Sequence, residues 1–275
     1  MCHARESLAH KGSPHARAMQ VWAGSSFAAN ARGLVDRYGY RYEFVDGKFR
    51  VGKAEATIRW VMGSGEKAQT LLLEKGGVWT ESRLTWYRGG NKLALSPGHS
   101  GEAPLDDEDA LGVRQTEVGL RRCLGCHSTS ESEPGIQCAR CHPGAARHAD
   151  DATLAVAAKA WSAGTQTAFC GQCHRSPDRE FRSKTPELED PLSVRFSTIG
   201  FTASKCYQPA GSFGCLSCHD PHSQKVKADA TAVCSNCHVP LAKKGCARTE
   251  GKCLSCHLQK VSPIANLTFT DHRIR

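Results

Sequence analysis

Residues 215–257 read CLSCHDPHSQKVKADATAVCSNCHVPLAKKGCARTEGKCLSCH, and this stretch repeats one short pattern three times. In each copy two cysteines stand three positions apart, and a histidine follows the second cysteine at once. Successive copies begin at 215, 234 and 253, which is a period of 19 residues both times. Three further copies lie upstream, and the six complete motifs are Cys123-Leu-Gly-Cys126-His127, Cys138-Ala-Arg-Cys141-His142, Cys170-Gly-Gln-Cys173-His174, Cys215-Leu-Ser-Cys218-His219, Cys234-Ser-Asn-Cys237-His238 and Cys253-Leu-Ser-Cys256-His257.

The spacing within each motif has a chemical reason. Two cysteines three residues apart lie on one side of a helical turn, where both sulfurs can form thioethers with the vinyl groups of one haem. The next residue, a histidine, is then placed under the iron as its proximal ligand. Zinc ribbons and disulfide staples also use paired cysteines, but neither requires a histidine after the second cysteine. Histidine makes up 13 of the 275 residues, so six chance matches have a probability on the order of 10⁻⁸. The sequence therefore predicts six haem c groups and their iron.

Three cysteines fall outside these motifs: Cys2, Cys206 and Cys246. Cys2 and His3 are either an isolated pair without a role or the end of a seventh motif whose first cysteine lies upstream, and we favour the second interpretation. The same missing upstream segment would account for the absence of an export signal, which a c-type cytochrome needs. Cys206 and Cys246 either pair in a disulfide or remain free, and we favour the disulfide.

The remaining histidines are candidates for the second axial position of each iron. With His3 counted as a proximal ligand, six histidines remain, and this number nearly matches the number of haems. A lone histidine is normally a polar surface residue, but here several irons compete for a few rings, so bis-histidine ligation is predicted for most haems. His222 is too close to His219 to reach the other face of the same iron and would serve a neighbouring haem. The stronger candidates are His15, His148, His222 and His272, and the weaker ones are His10 and His99.

Pattern and composition together predict an α+β fold, with short helices and loops packed around covalent haems and a small antiparallel sheet at about 38–96. Tyr40–Val51 has the alternation of a β-hairpin with Asp46-Gly47 at its turn, and further strands are expected at 56–61, 70–74 and 78–86. The clearest helix is expected at Ala152–Trp161. We expect four segments: 1–37, helical with the truncated haem site; 38–96, a β-rich insertion; 97–120, a linker with a solvated acidic loop at Asp106–Asp109; and 121–275, the multihaem domain.

The charge of the chain argues for haem propionates as its anionic partners. The formal net charge is +9, which by itself would suggest a polyanion such as nucleic acid. Six haems would bring this charge to about +3 when ferric and about −3 when ferrous, because each adds two propionates to one iron. Arginine suits such carboxylates, and Arg121, Arg122, Arg140 and Arg175 lie inside or beside the motifs. We therefore expect no nucleic-acid partner. No run of 18 or more apolar residues exists, so no membrane span is expected either.

A known family shares an ordered set of segments with nearly the whole chain. The chain resembles the periplasmic multihaem cytochromes with doubled CxxCH motifs, which are related to the tetrahaem cytochromes of ammonia oxidisers and distantly to hydroxylamine oxidoreductase. This resemblance implies a seventh motif at Cys2-His3, and it implies that His15, His148, His222 and His272 are distal ligands. The segments that carry it are Cys2–Glu6, Ser13–Met19, Val61–Gly65, Trp79–Ser82, Leu84–Tyr87, Ser96-Pro97, Arg122–His127, Gly135–His142, Cys215–His222 and Thr270–Ile274.

Three functions fit these observations. We favour electron transfer through closely spaced, mostly bis-histidine haems outside the cytoplasm, in the periplasm or the extracellular space. The partners would then be other cytochromes or quinol-linked complexes. An enzyme is the second hypothesis, in which one haem with an open axial position would reduce nitrogen or sulfur oxyanions. In the third, the chain is a homo-oligomeric subunit of a conducting filament.

Overall fold

A computed structural model describes residues 3–130, 132–154, 161–175, 191–227, 230–238 and 253–275. The chain forms two compact units, Met1–Val156 and Ala157–Arg275. The first two haem motifs belong to the first unit, and the other four belong to the second. Within the described part of the chain, no helix is both long enough and apolar enough to cross a membrane.

The first unit is built on an antiparallel sheet of nine described strands. Strands β2 to β8 pair with one another in sequence order. β1 pairs with the second half of β5, and β9 pairs with the first half of β7. The strands are β1 Met19–Gln20, β2 Leu34–Val35, β3 Arg41–Val45, β4 Lys48–Val51, β5 Ala54–Met62, β6 Ala68–Lys75, β7 Val78–Tyr87, β8 Lys92–Leu95 and β9 Gly112–Arg114.

The hairpin that opens this sheet follows from its sequence. Asp46 and Gly47 have φ angles of 50° and 72°, which suit the two central positions of a type I′ turn. The turn sets a register in which Phe44 lies opposite Phe49 and Tyr42 opposite Val51. Tyr42, Phe49 and Val51 are fully buried, so the predicted alternation places its apolar residues on one face. The mixed helix-and-sheet class and the antiparallel sheet are thus confirmed, although the sheet is larger than predicted.

Helices and short pairs of strands complete the first unit. Trp22–Gly24 is a 3₁₀ turn, and β10 Ser128–Ser130 pairs with β11 Glu133–Pro134. Residues 1–37, expected to be helical, also supply β1 and β2 to the sheet. Met19 of β1 and Val61 of β5 are buried where those two strands pair. The helices are α1 Ala4–Lys11, α2 Ser26–Asn30, α3 Asp107–Leu111, α4 Glu117–His127, α5 Cys138–Cys141 and α6 Ala145–Asp150.

The prediction of a loop at Asp106–Asp109 is wrong, because Asp106 caps α3 and Asp107–Asp109 form its first turn, but Asp106, Glu108 and Asp109 are exposed to solvent as predicted. The Asp106 carboxylate accepts a hydrogen bond from the Asp109 N–H at 2.8 Å and caps the helix. Acidic side chains in a first helical turn also face the positive end of the helix dipole. The helix buries Ala110 and Leu111 against the sheet, and β9 follows it directly. Residues 106–114 therefore contribute a helix and a strand to the first unit.

The second unit consists of short helices and one hairpin. In its described part α7 packs against α8 and α9, α9 packs against α10, and α10 packs against α11. Its buried apolar residues there are Ala163, Ile199 and Phe201. In the helix predicted over 152–161, residues 155–160 lie outside the described residues. The elements are α7 Ala163–His174, a 3₁₀ turn Pro191–Arg195, α8 Ser197–Thr202, α9 Cys215–Cys218, α10 Ala230–Ser235, α11 Cys253–His257, β12 Lys260–Ile264 and β13 Leu267–Thr270.

Candidate functional site

Each of the six complete motifs forms a helical turn. In three of them the motif lies within or at the end of α4, α7 and α11. In the others, the histidine N–H groups of His142, His219 and His238 donate to the carbonyls of the first cysteines at 2.9, 3.0 and 3.0 Å. This turn places the two sulfurs of a motif on the same side, as two thioethers to one haem require.

The rings of several candidate ligands are oriented by backbone carbonyls. Nδ1 of His127 lies 2.9 Å from the Ala18 oxygen, and Nδ1 of His148 lies 2.7 Å from the Leu154 oxygen. Nδ1 of His272 lies 2.9 Å from the Thr270 oxygen, and His257 makes the same kind of bond to Arg275. Because a carbonyl can only accept, Nδ1 must carry the proton, and Nε2 keeps its lone pair. This is the tautomer in which a histidine binds a metal through Nε2.

Two pairs of histidine rings lie close together in the described residues. The ring centres of His3 and His148 are 6.0 Å apart, and those of His219 and His272 are 6.3 Å apart. An iron between two imidazoles lies about 2 Å from each nitrogen, and each ring centre lies about 1 Å further out, so that the centres are about 6 Å apart. Both pairs therefore have the spacing of two axial ligands on one iron.

The protonation state of the rings also suits metal binding. Desolvation lowers the pKa of His127, His174, His219 and His272 below the usual value. In His174 the neighbouring His219 lowers the pKa further. These imidazoles are therefore neutral at neutral pH, which is the form that binds iron.

A third group of side chains gathers around the first motif. The His99 side chain is 4% exposed, and its Nε2 lies 3.8 Å from a carboxylate oxygen of Glu81. Burial and the Glu81 carboxylate both raise the pKa of Cys123. Burial lowers the pKa of His127, and the Glu81 carboxylate acts in the other direction and raises it. In the described residues, the Nε2 atoms of His99 and His10 are buried without a hydrogen-bond partner. A buried nitrogen in that state needs a partner, and an iron would supply one.

A cavity of about 410 Å³ lies beside His272 in the second unit. Phe196, Val261 and Pro263 supply apolar walls, and Arg273 and Arg275 supply positive charge. Apolar walls with a few arginines suit a haem, whose ring is apolar and whose propionates are anionic.

Some predicted site residues are not tested by this geometry. Cys2 and Cys246 lie outside the described residues, so the seventh motif and the disulfide both stay predictions. Cys206 is half-buried. The carbonyls that orient the rings, and Glu81 beside His99, carry no signal in the sequence, since any residue has a carbonyl and Glu81 looks like an ordinary strand residue. In the described part of the chain, no cluster of three or more His, Cys, Asp or Glu side chains could hold a metal ion directly.

Comparison with known proteins agrees with this geometry. Residues 208–243, which span the motifs at Cys215 and Cys234, match a family model described as a doubled CXXCH motif. The fold is similar to that in the crystal structure of the outer cell wall cytochrome OcwA, with a TM-score of 0.61 and 14% sequence identity. That similarity covers 100% of this chain and 77% of OcwA. No curated protein gave a significant match. The doubled motif and the shared fold together support the interpretation of this chain as a multihaem c-type cytochrome.

Proposed function

We propose that this protein transfers electrons along closely spaced, mostly bis-histidine haems outside the cytoplasm. The observation that carries the proposal is the spacing of the two ring pairs, His3 with His148 and His219 with His272, at 6.0 and 6.3 Å. Two histidines on one iron leave no position for a substrate, so such a site exchanges electrons only. When bound, haem c supplies the one-electron chemistry, and the chain supplies attachment, axial ligands and spacing.

The chain's own residues divide these tasks. The paired cysteines of each helical turn would attach a haem, and the histidine after them would be its proximal ligand. The carbonyls of Ala18 and Thr270 hold the His127 and His272 rings in one orientation, and such bonds also raise the basicity of the ligand nitrogen. The short helices of the second unit then pack around haems in place of a large apolar core, which accords with its few buried apolar residues in the described part.

The position of the protein outside the cytoplasm is part of the proposal. OcwA is described as an outer cell wall cytochrome, and a shared fold supports a comparable location. The partners would be redox proteins, one that donates electrons to the haems and one that accepts electrons from them. His99 and His10 would be further distal ligands, because their Nε2 atoms are buried and lack a hydrogen-bond partner in the described residues.

An EPR spectrum of the oxidised holoprotein, combined with haem quantification by the pyridine haemochromogen assay, tests the proposal. We expect six covalent haems per chain, or seven where the site of His3 and His148 is also filled, with low-spin signals accounting for the iron of the paired sites. A chain without covalent haem would refute the proposal, because electron transfer here requires bound haem. A large high-spin fraction that binds nitrite or hydroxylamine would replace it with the reductase hypothesis.

A further inference from the structure

Gln166 is a buried amide that belongs to none of the haem motifs. It lies on α7 one helical turn before Cys170, and its relative exposure is 4%. Its Nε2–H donates to the Trp161 carbonyl at 2.9 Å. Its Oε1 accepts a hydrogen bond from the N–H of Leu216 at 2.8 Å. Because Leu216 stands between the two cysteines of the fourth motif, one side chain links the helix of the third motif to the interior of the fourth.

Gly214, directly before the fourth motif, lies against the side-chain amide of Gln166. A Cβ added at Gly214 would lie 2.4 Å from Oε1 of Gln166, which is closer than van der Waals contact allows. The φ angle of Gly214 is −135°, so other residues could adopt its backbone conformation. The glycine is therefore required by the close approach of Gln166 and not by its own dihedral angles.

The amino end of α7 also contacts the segment that leads into the fourth motif. The N–H groups of Ala163 and Gly164, which have no partner inside the helix, donate to the carbonyls of Gly211 and Pro209 at 2.7 and 2.8 Å. The segment that leads into the fourth motif therefore contacts α7 first at its amino end and then through Gln166. Three hydrogen bonds in the first turn of α7 therefore hold the segment 209–216, and they restrict the rotation of one motif relative to the other.

This arrangement fixes the third motif relative to the fourth. Helix α7, which carries Cys170, packs against α9, which begins at Cys215. Each of these residues is the first cysteine of its motif, and both are half-buried. The rate of electron exchange depends on the relative position of two redox centres, so a side chain that fixes the two motifs would also influence that rate.

We propose that Gln166 is a positioning residue that fixes the third motif relative to the fourth and so sets the electronic coupling between the haems that these motifs would bind. The inference rests on the proposed function, because it assumes haem c at both motifs. It goes further by naming the buried side chain that sets the relative position of these two motifs.

Four variants of the holoprotein separate hydrogen bonding from packing. Gln166→Ala removes the amide, and Gln166→Met keeps its length and volume but cannot accept from Leu216. Gly214→Ala places a methyl group against Gln166, whereas the same substitution in the Gln166→Ala background meets no amide. Ala168→Ser, at an exposed position of α7, is the matched control.

The readouts are haem content, Soret circular dichroism, which reports coupling between adjacent haems, and the potentials in a redox titration. We expect full haem content throughout, with loss of at least a third of the Soret couplet in Gln166→Ala, Gln166→Met and Gly214→Ala. Gly214→Ala should add nothing further in the Gln166→Ala background, and Ala168→Ser should match the wild type.

The proposal is overturned if Gln166→Met keeps the wild-type couplet, since the hydrogen bonds would then position nothing. It is equally overturned if Gly214→Ala has the same effect with and without Gln166. A wild-type chain that carries no covalent haem would refute the proposed function itself, and haem content distinguishes that result from the others.

Discussion

At the scale of single residues, the candidate ligands are defined by what their second ring nitrogen contacts. His127, His148 and His272 each donate from Nδ1 to a backbone carbonyl at 2.7–2.9 Å. Such a bond fixes both the tautomer and the ring plane before any iron is bound, so the ligand loses little entropy on coordination. The ring pair of His219 and His272 is the most complete example, because desolvation also lowers the pKa of both imidazoles.

The first prediction concerns His272. In the proposed function His272 is the second ligand of one iron. Its replacement by alanine should therefore change one haem from low-spin to high-spin while haem content stays constant. His272→Met, which restores a soft ligand, should stay low-spin and raise the potential of that haem. EPR and a redox titration of the two variants measure these changes. An unchanged low-spin spectrum of His272→Ala would show that another residue ligates this iron.

At the scale of elements, helix α3 shows how an acidic segment becomes part of the first unit. Asp106 caps the helix, and the Asp107 carboxylate accepts the Lys53 N–H at 2.8 Å. Gly52 has a φ of 56°, and a Cβ there would meet the Asp107 carboxylate at 2.4 Å, so a glycine is needed at this approach. The helix thereby fastens residues 106–111 to the turn between β4 and β5.

The second prediction is that Asp106→Ala lowers the free energy of unfolding by about 1 kcal/mol, the usual cost of losing an N-cap acceptor. Asp106→Ser, which keeps an acceptor oxygen, should lose much less. Urea unfolding followed by far-ultraviolet circular dichroism measures both, since this signal comes from the sheet and helices. Equal losses in the two variants would mean that the cap bond does not stabilise the helix.

At the scale of the whole molecule, the two units are stabilised in different ways. The sheet of the first unit has a conventional core in which Phe27, Tyr42, Phe49, Leu71 and Leu73 are fully buried. The described part of the second unit buries little apolar surface although it carries four motifs. Haems would supply the missing apolar surface there, and this accounts for an aromatic content of 7% in the chain.

The third prediction is about net charge. The polypeptide has a formal charge of +9 and a sequence pI of about 8.9, and six ferric haems would lower the charge to about +3. Isoelectric focusing of the oxidised holoprotein should therefore give a pI below that value, and reduction should lower it further. The double variant Cys253→Ala and Cys256→Ala, which loses one haem, should focus at a higher pI than the wild type. An identical pI for both proteins would contradict the assignment of the sixth motif.

The sequence by itself determined where haems attach and which strands form the first hairpins. Both features are local: five contiguous residues make one attachment turn, and Asp46-Gly47 sets the register of its own hairpin. Only the tertiary structure decided which rings lie near each other, because His3 and His148, or His219 and His272, are brought together by long-range folding. It also decided that residues 19–20 and 112–114 join the sheet, and that Gln166 reaches the fourth motif. Such contacts depend on the packing of distant elements, and a single sequence carries no local pattern that records them.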